Sequence, residues 1–244
     1  MKKKSPNKTY YIYGKHACLA AISNKSRIIH KIYITEENKN LISINNNSKL
    51  EVITSNSRDI SCLLGKDVVH QGITALVSPL YNNNLESSKF RENSTLAILD
   101  QVTDPHNLGA IIRTAAAFSL SGVIIPSDNS PPENAIVAKT SSGALETIPI
   151  YRVTNISSSI AWLKKQDFWV IGLDNDSNTM IKQDIFKGKT CIVLGAEGKG
   201  IRKLTKENCD LMVKIPIDTK IESLNVSNAA SIAFYEAYLA KLNN

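Results

Sequence analysis

From residue 96 onward, short apolar runs alternate with helical patterns, and this alternation constrains the fold more than any other feature. Strand-like runs occur at residues 96–99, 122–126, 148–153, 168–173, 190–194 and 214–217. Helical patterns occur at residues 107–120, 133–141, 157–166 and 226–242. Strands that alternate with helices form a mostly parallel sheet with helices on both faces. The sequence therefore predicts an α/β domain over residues 96–244, with its ligand site at the carboxyl ends of the strands.

The chain before residue 96 has a different organisation. Residues 10–79 show a helical pattern at 17–22 and strand-like runs at 28–34, 49–53 and 71–77, which indicates a second, smaller α/β domain. Residues 80–95 are rich in Asn, Ser and charge, and we interpret them as a linker between the domains. Residues 1–9 form a basic N-terminal tail.

Charge is unevenly distributed along the 244 residues. The formal net charge is +7, yet the first 35 residues contain eight lysines and arginines and no acid, so the remainder sums to −1. A basic pole on an otherwise balanced protein favours a polyanionic partner. A solvated lysine tail is the alternative explanation.

Several classes of protein are disfavoured. No apolar run approaches the roughly 20 residues that span a bilayer, and the first residues lack the apolar stretch of a secretory signal. We therefore expect a cytoplasmic protein without a membrane partner. The four cysteines contain no Cys-x-x-Cys pair and the four histidines are scattered, so we expect neither a metal site nor a disulfide framework.

Three polar blocks lie at predicted junctions after strands, at residues 104–113, 194–200 and 223–231. They contain polar side chains that a core does not need: Asn107, Arg113, Glu197, Ser223 and Asn225. Each block also has a purely structural explanation, as a helix cap or a tight turn. The glycines of the second block have the order G-x-x-G-x-G, and only 44 residues follow them, which argues against a Rossmann dinucleotide loop.

In this order the three blocks resemble the three motifs of the SpoU (TrmH-type) RNA 2′-O-ribose methyltransferases, a branch of the SPOUT superfamily. Residues 100–109, 139–146 and 152–155 are similar to the subgroup that methylates a guanosine ribose in 23S rRNA. Residues 12–17 and 70–73 are similar to the L30e-like RNA-binding domain of that subgroup. The resemblance thus extends over nearly the whole chain.

The resemblance implies a C-terminal deep trefoil knot, S-adenosylmethionine as cofactor, and a homodimer formed partly by the helix after the first motif and by the last helix. It places the catalytic positions on Asn107, Arg113, Glu197, Ser223 and Asn225. It places the cofactor against Leu194, Gly195, Gly198, Ile215, Ile217, Leu224 and Val226.

The resemblance also implies roles for the catalytic positions. Arg113 would contact the phosphate of the target nucleotide and take part in deprotonating the ribose hydroxyl. Asn107, Ser223 and Asn225 would orient the reacting groups, and Glu197 would fix its loop and the arginine. The group that finally accepts the ribose proton stays open.

Two alternatives to the 23S rRNA substrate remain. The first keeps the chemistry and moves it to a tRNA guanosine. The second is a non-catalytic RNA-binding or ribosome-assembly protein, against which the complete set of five polar positions argues.

Overall fold

The computed structural model describes residues 9–42, 50–65, 68–80 and 83–243, and the chain divides into two compact units. One unit comprises Met1–Tyr81 and Pro132–Thr147, and the other comprises Asn82–Pro131 and Ile148–Asn244. The predicted basic tail lies outside the described residues except for Thr9. Of the helices in the described ranges, none is long and apolar enough to cross a membrane.

Strands and helices alternate along most of the described chain. The strands are β1 (Tyr10–Tyr13), β2 (Ile29–Ile34), β3 (Val52–Thr54), β4 (Ile73–Val77), β5 (Thr95–Asp100), β6 (Gly122–Pro126), β7 (Ile150–Val153), β8 (Trp169–Leu173), β9 (Thr190–Gly195) and β10 (Leu211–Val213). The helices are α1 (Lys15–Ser23), α2 (Ser57–Leu64), α3 (Pro105–Ala117), α4 (Ala135–Ser141), α5 (Ile156–Lys165), α6 (Lys203–Glu207) and α7 (Val226–Leu242).

The first unit is built on a four-stranded sheet in the order β1-β4-β2-β3. Strand β4 runs antiparallel to both β1 and β2, and β2 runs parallel to β3. Side chains at alternate positions, such as Ile32 and Ile34 in β2 and Ile73 and Ala75 in β4, are fully buried. This period of two is the pattern of a sheet that has one face on the core.

A buried ion network joins Pro132–Thr147 to the rest of the first unit. The Arg27 guanidinium donates to Glu133 Oε1 at 2.5 Å and to Glu146 Oε1 at 2.5 Å, and Tyr10 Oη donates to Glu133 Oε1. The side chains of Arg27 and Glu133 are both 0% exposed. Burial lowers the pKa of Arg27, but the bond to Glu146 and the charge of Glu133 outweigh it and raise that pKa overall. The network therefore holds a charged arginine in the core of this unit.

The second unit contains six parallel strands in the order β10-β8-β9-β5-β6-β7, which confirms the predicted parallel α/β sheet. Apolar side chains of α5, among them Ile160 and Leu163, pack on one face against the core of the sheet. On β5 and β9, Leu99 pairs with Leu194 and Asp100 with Gly195. The two central strands therefore end side by side, directly below the first and second polar blocks.

The last strand differs from the sequence prediction. It spans Leu211–Val213 and pairs with β8, whereas residues 214–217 were predicted. Lys214 instead exchanges backbone hydrogen bonds with Thr179 and Ile181, outside the sheet. Pro216 has no N–H to donate, so the apolar run cannot continue the ladder.

Candidate active site

The three polar blocks lie on loops that follow β5, β9 and β10 in the second unit. The first loop ends at Asp104, whose side chain accepts a hydrogen bond from the His106 N–H and caps α3. The third loop ends at Asn225, which caps α7 in the same way through Ser227. Helix caps therefore fix where two of the blocks begin their helices.

A cavity of about 290 Å³ opens between the second and third loops. Six of the seven residues predicted to hold the cofactor line it: Leu194, Gly195, Gly198, Ile215, Leu224 and Val226. Two predicted catalytic residues, Glu197 and Ser223, line it as well. Of the described residues, Asn107, Arg113, Ile217 and Asn225 are not in that lining.

The second loop returns so tightly that it needs glycine. A Cβ on Gly195 would lie 2.0 Å from the carbonyl carbon of Gly200, which is main chain and cannot rotate away. Gly198 and Gly200 have φ angles of +76° and +63°, in the left-handed region that favours glycine. The Gly200 N–H closes the loop on the Ala196 carbonyl at 2.8 Å. The glycines of this loop thus bring main-chain groups directly to the wall of the cavity.

Asn225 connects one side chain from each of the three loops. Its Nδ2 donates to Asn107 Oδ1 at 3.1 Å and to Glu197 Oε2 at 3.3 Å. Its Oδ1 accepts from the Ser227 N–H at 2.8 Å, the bond that caps α7. The structure therefore brings three of the five predicted catalytic residues into one hydrogen-bonded cluster, and Glu197 connects that cluster to the cavity.

Arg113 stands apart from this cluster. It lies on α3 six residues beyond Asn107, its side chain is exposed, and it makes no hydrogen bond or ion pair within the described part of the chain. A guanidinium in this state keeps all five N–H donors available for a ligand. Ser223 is also exposed and borders the cavity.

The cavity wall carries charges of both signs. Carboxylates of Asp174, Asp176 and Glu222 line it together with Glu197, and the basic side chains are Lys199 and Lys206. Lys206 is already engaged in an ion pair with Asp174. With Leu194, Ile215 and Leu224 forming the apolar part, the cavity suits a ligand that combines an apolar ring system with positively charged groups.

Sequence reasoning missed a residue pair beneath the second loop. The Asp100 carboxylate is completely buried and accepts from the Arg202 N–H at 3.0 Å and from Arg202 Nε at 2.8 Å. An acidic residue directly after the apolar run 96–99, at the end of a predicted central strand, was the signal that could have revealed it.

The chain is similar to known methyltransferases over nearly its full length. It is 39% identical to the 23S rRNA (guanosine-2′-O-)-methyltransferase RlmB of Coxiella burnetii, covering 92% of this chain and 93% of that protein. It is 38% identical to RlmB of Vibrio vulnificus, covering 95% and 97%. It is also 38% identical to a putative TrmH family tRNA/rRNA methyltransferase of Staphylococcus haemolyticus, covering 93% and 94%.

Solved structures share the fold. The SpoU methyltransferase AviRb from Streptomyces viridochromogenes, in complex with AdoMet, superposes with a TM-score of 0.84 at 22% identity, covering 97% of this chain and 91% of that one. An AdoMet-bound rRNA methyltransferase from Sinorhizobium meliloti gives 0.80 at 22% identity, covering 94% and 86%.

Two family models match consecutive parts of the chain. The model for RNA 2′-O ribose methyltransferase substrate binding matches residues 11–82, and the SpoU rRNA Methylase family model matches residues 94–235. The second match alone covers more than half of the chain. This confirms the resemblance of the three polar blocks: the protein belongs to the SpoU rRNA methylase family.

Proposed function

We propose that the protein transfers a methyl group from S-adenosylmethionine to the ribose 2′-hydroxyl of a guanosine in 23S rRNA. The observation that carries this proposal is the cluster of Asn107, Glu197 and Asn225 beside a glycine-walled cavity. The similarity to RlmB proteins along the whole chain supports the substrate, and the AdoMet-bound relatives of the same fold support the cofactor.

The cavity fits this cofactor on its own chemistry. Leu194, Ile215, Leu224 and Val226 would hold the adenine ring, and the close return at Gly195 lets main-chain groups approach it without an intervening side chain. The carboxylates on the wall complement the positive charges of the sulfonium and the amino group. When bound, S-adenosylmethionine supplies the electrophilic methyl group; the protein's own residues position the acceptor.

In our proposal Arg113 binds the phosphate of the target nucleotide. Its exposed, unengaged guanidinium supports this role, because arginine matches phosphate oxygens with two parallel N–H bonds. A guanidinium stays protonated in proteins, so the ribose proton leaves to a phosphate oxygen or to water while Arg113 holds the geometry. Asn107, Asn225 and Ser223 orient the ribose hydroxyl, and Glu197 fixes the second loop through its bond to Asn225.

Substituting Arg113 tests the catalytic assignment. Arg113→Ala should lower methylation of 23S rRNA at least ~100-fold while the Kd for S-adenosylmethionine stays within about threefold, because the guanidinium acts on the RNA and lies outside the cavity lining. Arg91→Ala is the matched control, since Arg91 is an exposed arginine of the same unit outside all three blocks. Near-normal methylation by the Arg113 variant would refute the catalytic role proposed for Arg113.

Mapping ribose methylation in total RNA tests the substrate. A strain without this gene should lose one 2′-O-methylguanosine in 23S rRNA, and expression of the gene should restore it. Loss of a methylated ribose in tRNA would favour the alternative substrate instead. The Staphylococcus haemolyticus relative, described as a tRNA/rRNA methyltransferase, is the reason to test tRNA as well.

We assign RNA binding to the first unit and catalysis to the second. The substrate-binding family model and the basic first 35 residues support the first assignment. In this proposal residues 10–79 form the RNA-binding domain, joined in space by Pro132–Thr147, residues 80–95 are the linker, and the remainder of 96–244 is catalytic. A ribosomal RNA substrate supports a cytoplasmic location for the protein.

We also propose the family's knot and dimer for this chain. Asn175 Nδ2 donates to the Glu222 carbonyl at 3.0 Å, and this contact between the loop after β8 and the segment before α7 supports threading of the C-terminal segment. For the dimer, α7 exposes Tyr235 and Ile232 next to α3, where the rings of Phe118 and Tyr235 are in tilted contact with centroids 5.6 Å apart. Apolar side chains exposed on one helix face are suited to a second copy of the chain.

A further inference from the structure

We propose that Arg202 binds a backbone phosphate of the substrate RNA, in a second cavity of the catalytic unit, and that buried Asp100 orients it for this task. The inference rests on the proposed function, because it names a further RNA contact of the same enzyme. The site would hold a nucleotide other than the one whose ribose is methylated.

The two side chains of this ion pair differ greatly in their exposure to solvent. The Asp100 side chain is 0% exposed, whereas that of Arg202 is 47% exposed. Asp100 uses one oxygen for the Arg202 main-chain N–H at 3.0 Å and the other for Nε at 2.8 Å. A carboxylate that accepts hydrogen bonds from both the main chain and the side chain of one arginine fixes the direction in which its guanidinium points.

This arrangement leaves the outer edge of the guanidinium available. Only Nε is bonded to Asp100, and no other described residue accepts a hydrogen bond from Nη1 or Nη2. The four N–H groups on those nitrogens form the edge that pairs with two phosphate oxygens. An arginine that served only to neutralise Asp100 would not need this edge in solvent.

Arg202 also lines a cavity of about 420 Å³. Two residues of α6 line it as well, and the facing wall comes from the end of β6 and from the residues that follow β6 and β7, including Asn129, Thr154 and Ser157. None of its lining residues lines the cofactor cavity. The cavity therefore lies at the same carboxyl edge of the sheet, on the far side of the second loop, where ligands of parallel sheets collect.

The polar groups of this cavity match a nucleotide better than a free anion. Asp128 contributes a carboxylate, which would repel a phosphate placed beside it but accepts hydrogen bonds from ribose hydroxyls or base amino groups. Asn129, Thr154 and Ser157 add neutral donors and acceptors. A nucleotide whose phosphate binds Arg202 and whose sugar or base faces Asp128 would give both side chains a partner. A strand of RNA presents these groups together.

The test compares Arg202→Gln with Lys203→Gln. Both variants remove one positive charge from adjacent positions of the same helix start, and Lys203 is the matched control because its side chain is 92% exposed and is not in the cavity lining. RNA affinity is measured without cofactor, on an unmodified 23S rRNA transcript at several KCl concentrations. The Kd for S-adenosylmethionine is measured separately by calorimetry.

We expect Arg202→Gln to weaken RNA binding about tenfold, as loss of one charge-assisted phosphate contact does, and to reduce the salt slope by about 0.7 to 0.9. Lys203→Gln should change the Kd for RNA less than about twofold. Cofactor affinity should stay unchanged in both. Equal effects of the two substitutions on RNA binding would overturn the proposal.

A double substitution guards against misfolding and tests the role of Asp100. Asp100→Asn/Arg202→Gln removes the buried charge together with its partner, so it should fold and bind RNA as weakly as Arg202→Gln alone. Asp100→Asn alone should weaken RNA binding less than Arg202→Gln, because it frees the guanidinium without removing it. Loss of cofactor affinity with unchanged RNA binding in these variants would instead make the pair a mere anchor for the second loop.

These experiments distinguish failure of the Arg202 contact from failure of the proposed function. A wild-type protein that binds the transcript through Arg202 but methylates nothing would refute the proposed reaction and leave this contact intact. A wild-type protein that methylates the transcript, with Arg202→Gln binding it normally, would refute this contact alone.

Discussion

Replacing Asn225 by Asp separates the two tasks of that side chain. Its Oδ1 caps α7 through the Ser227 N–H, and its Nδ2 joins Asn107 to Glu197. Asn225→Asp keeps the capping oxygen, because Asp caps helices as well as Asn does, but removes both donated bonds. Asn225→Ala removes the cap and the cluster together.

The structure gives the expected size of each effect. Two lost hydrogen bonds are worth about 1 kcal/mol each. The new carboxylate also stands where Nδ2 now lies, 3.3 Å from Glu197 Oε2, and repulsion there costs about 1 kcal/mol because Glu197 is exposed to water. About 3 kcal/mol of lost positioning corresponds to roughly a 100-fold slower methylation.

Stability should respond differently. In Asn225→Asp the lost bonds and the repulsion are partly offset by the attraction between a negative charge and the start of α7, worth about 0.3 to 1 kcal/mol, so the free energy of unfolding should fall by about 2 kcal/mol. In Asn225→Ala the two bonds are lost together with the cap, about 3 kcal/mol in all, which lowers Tm by about 6–12 °C in a chain of this size.

Two measurements on each variant decide the matter: thermal unfolding, and initial rates of methyl transfer to a 23S rRNA transcript. An Asp variant that remains folded at the assay temperature, unfolds at a higher temperature than the Ala variant and is nearly inactive supports the reasoning. An Asp variant that methylates at the wild-type rate would show that the bonds to Asn107 and Glu197 have no part in the reaction. Equal destabilisation by both substitutions would show that Oδ1 does not cap α7.

Close contacts and burial elsewhere in the chain lead to three more expected outcomes. Gly195→Ala should weaken S-adenosylmethionine binding roughly 10- to 100-fold in calorimetry, because its methyl group would lie 2.0 Å from main chain across the loop; unchanged affinity would contradict the described return of the loop. Arg27→Met should destabilise the first unit by about 3 to 5 kcal/mol, since it leaves Glu133 and Glu146 buried without a counter-ion, and hydrogen exchange in β1 and α1 would reveal it. The exposed thiol of Cys62 should react with Ellman's reagent at pH 8, whereas burial raises the pKa of Cys18 to about 12 and should keep that thiol unreacted until the protein unfolds.

Local sequence patterns were sufficient to predict an element where residues at its ends mark its boundaries. The strand at Gly122–Pro126 and the helix at Val226–Leu242 lie where the sequence predicts them. The helix has a capping Asn at one end, and the strand ends at a proline. The strand predicted at residues 214–217 was wrong because its pairing depends on β8, a partner some 40 residues away that periodicity cannot show.

The place of Pro132–Thr147 could not be predicted for the same reason. A helix at 133–141 is visible in the sequence, but its membership in the first unit depends on contacts with residues far earlier in the chain, such as that of Glu133 with Arg27, 106 residues away. The candidate site shows a similar division. The motifs identify Asn107, Glu197 and Asn225 as polar residues in the right places. The sequence marks Asp100 as an acid at a strand end, but its pairing with Arg202 is visible only once β5 and β9 are adjacent.

The buried network around Arg27 also sets an order of events during translation. Arg27 leaves the ribosome before any of β5, α3 and β6 has been made, and Glu133 follows 106 residues later. Because synthesis adds about 5–20 residues per second, roughly 5 to 20 s pass between the synthesis of Arg27 and that of Glu133, its first carboxylate partner. Most of the first unit precedes the second unit in the sequence, but the core of the first unit cannot be completed until part of the second unit has been synthesised.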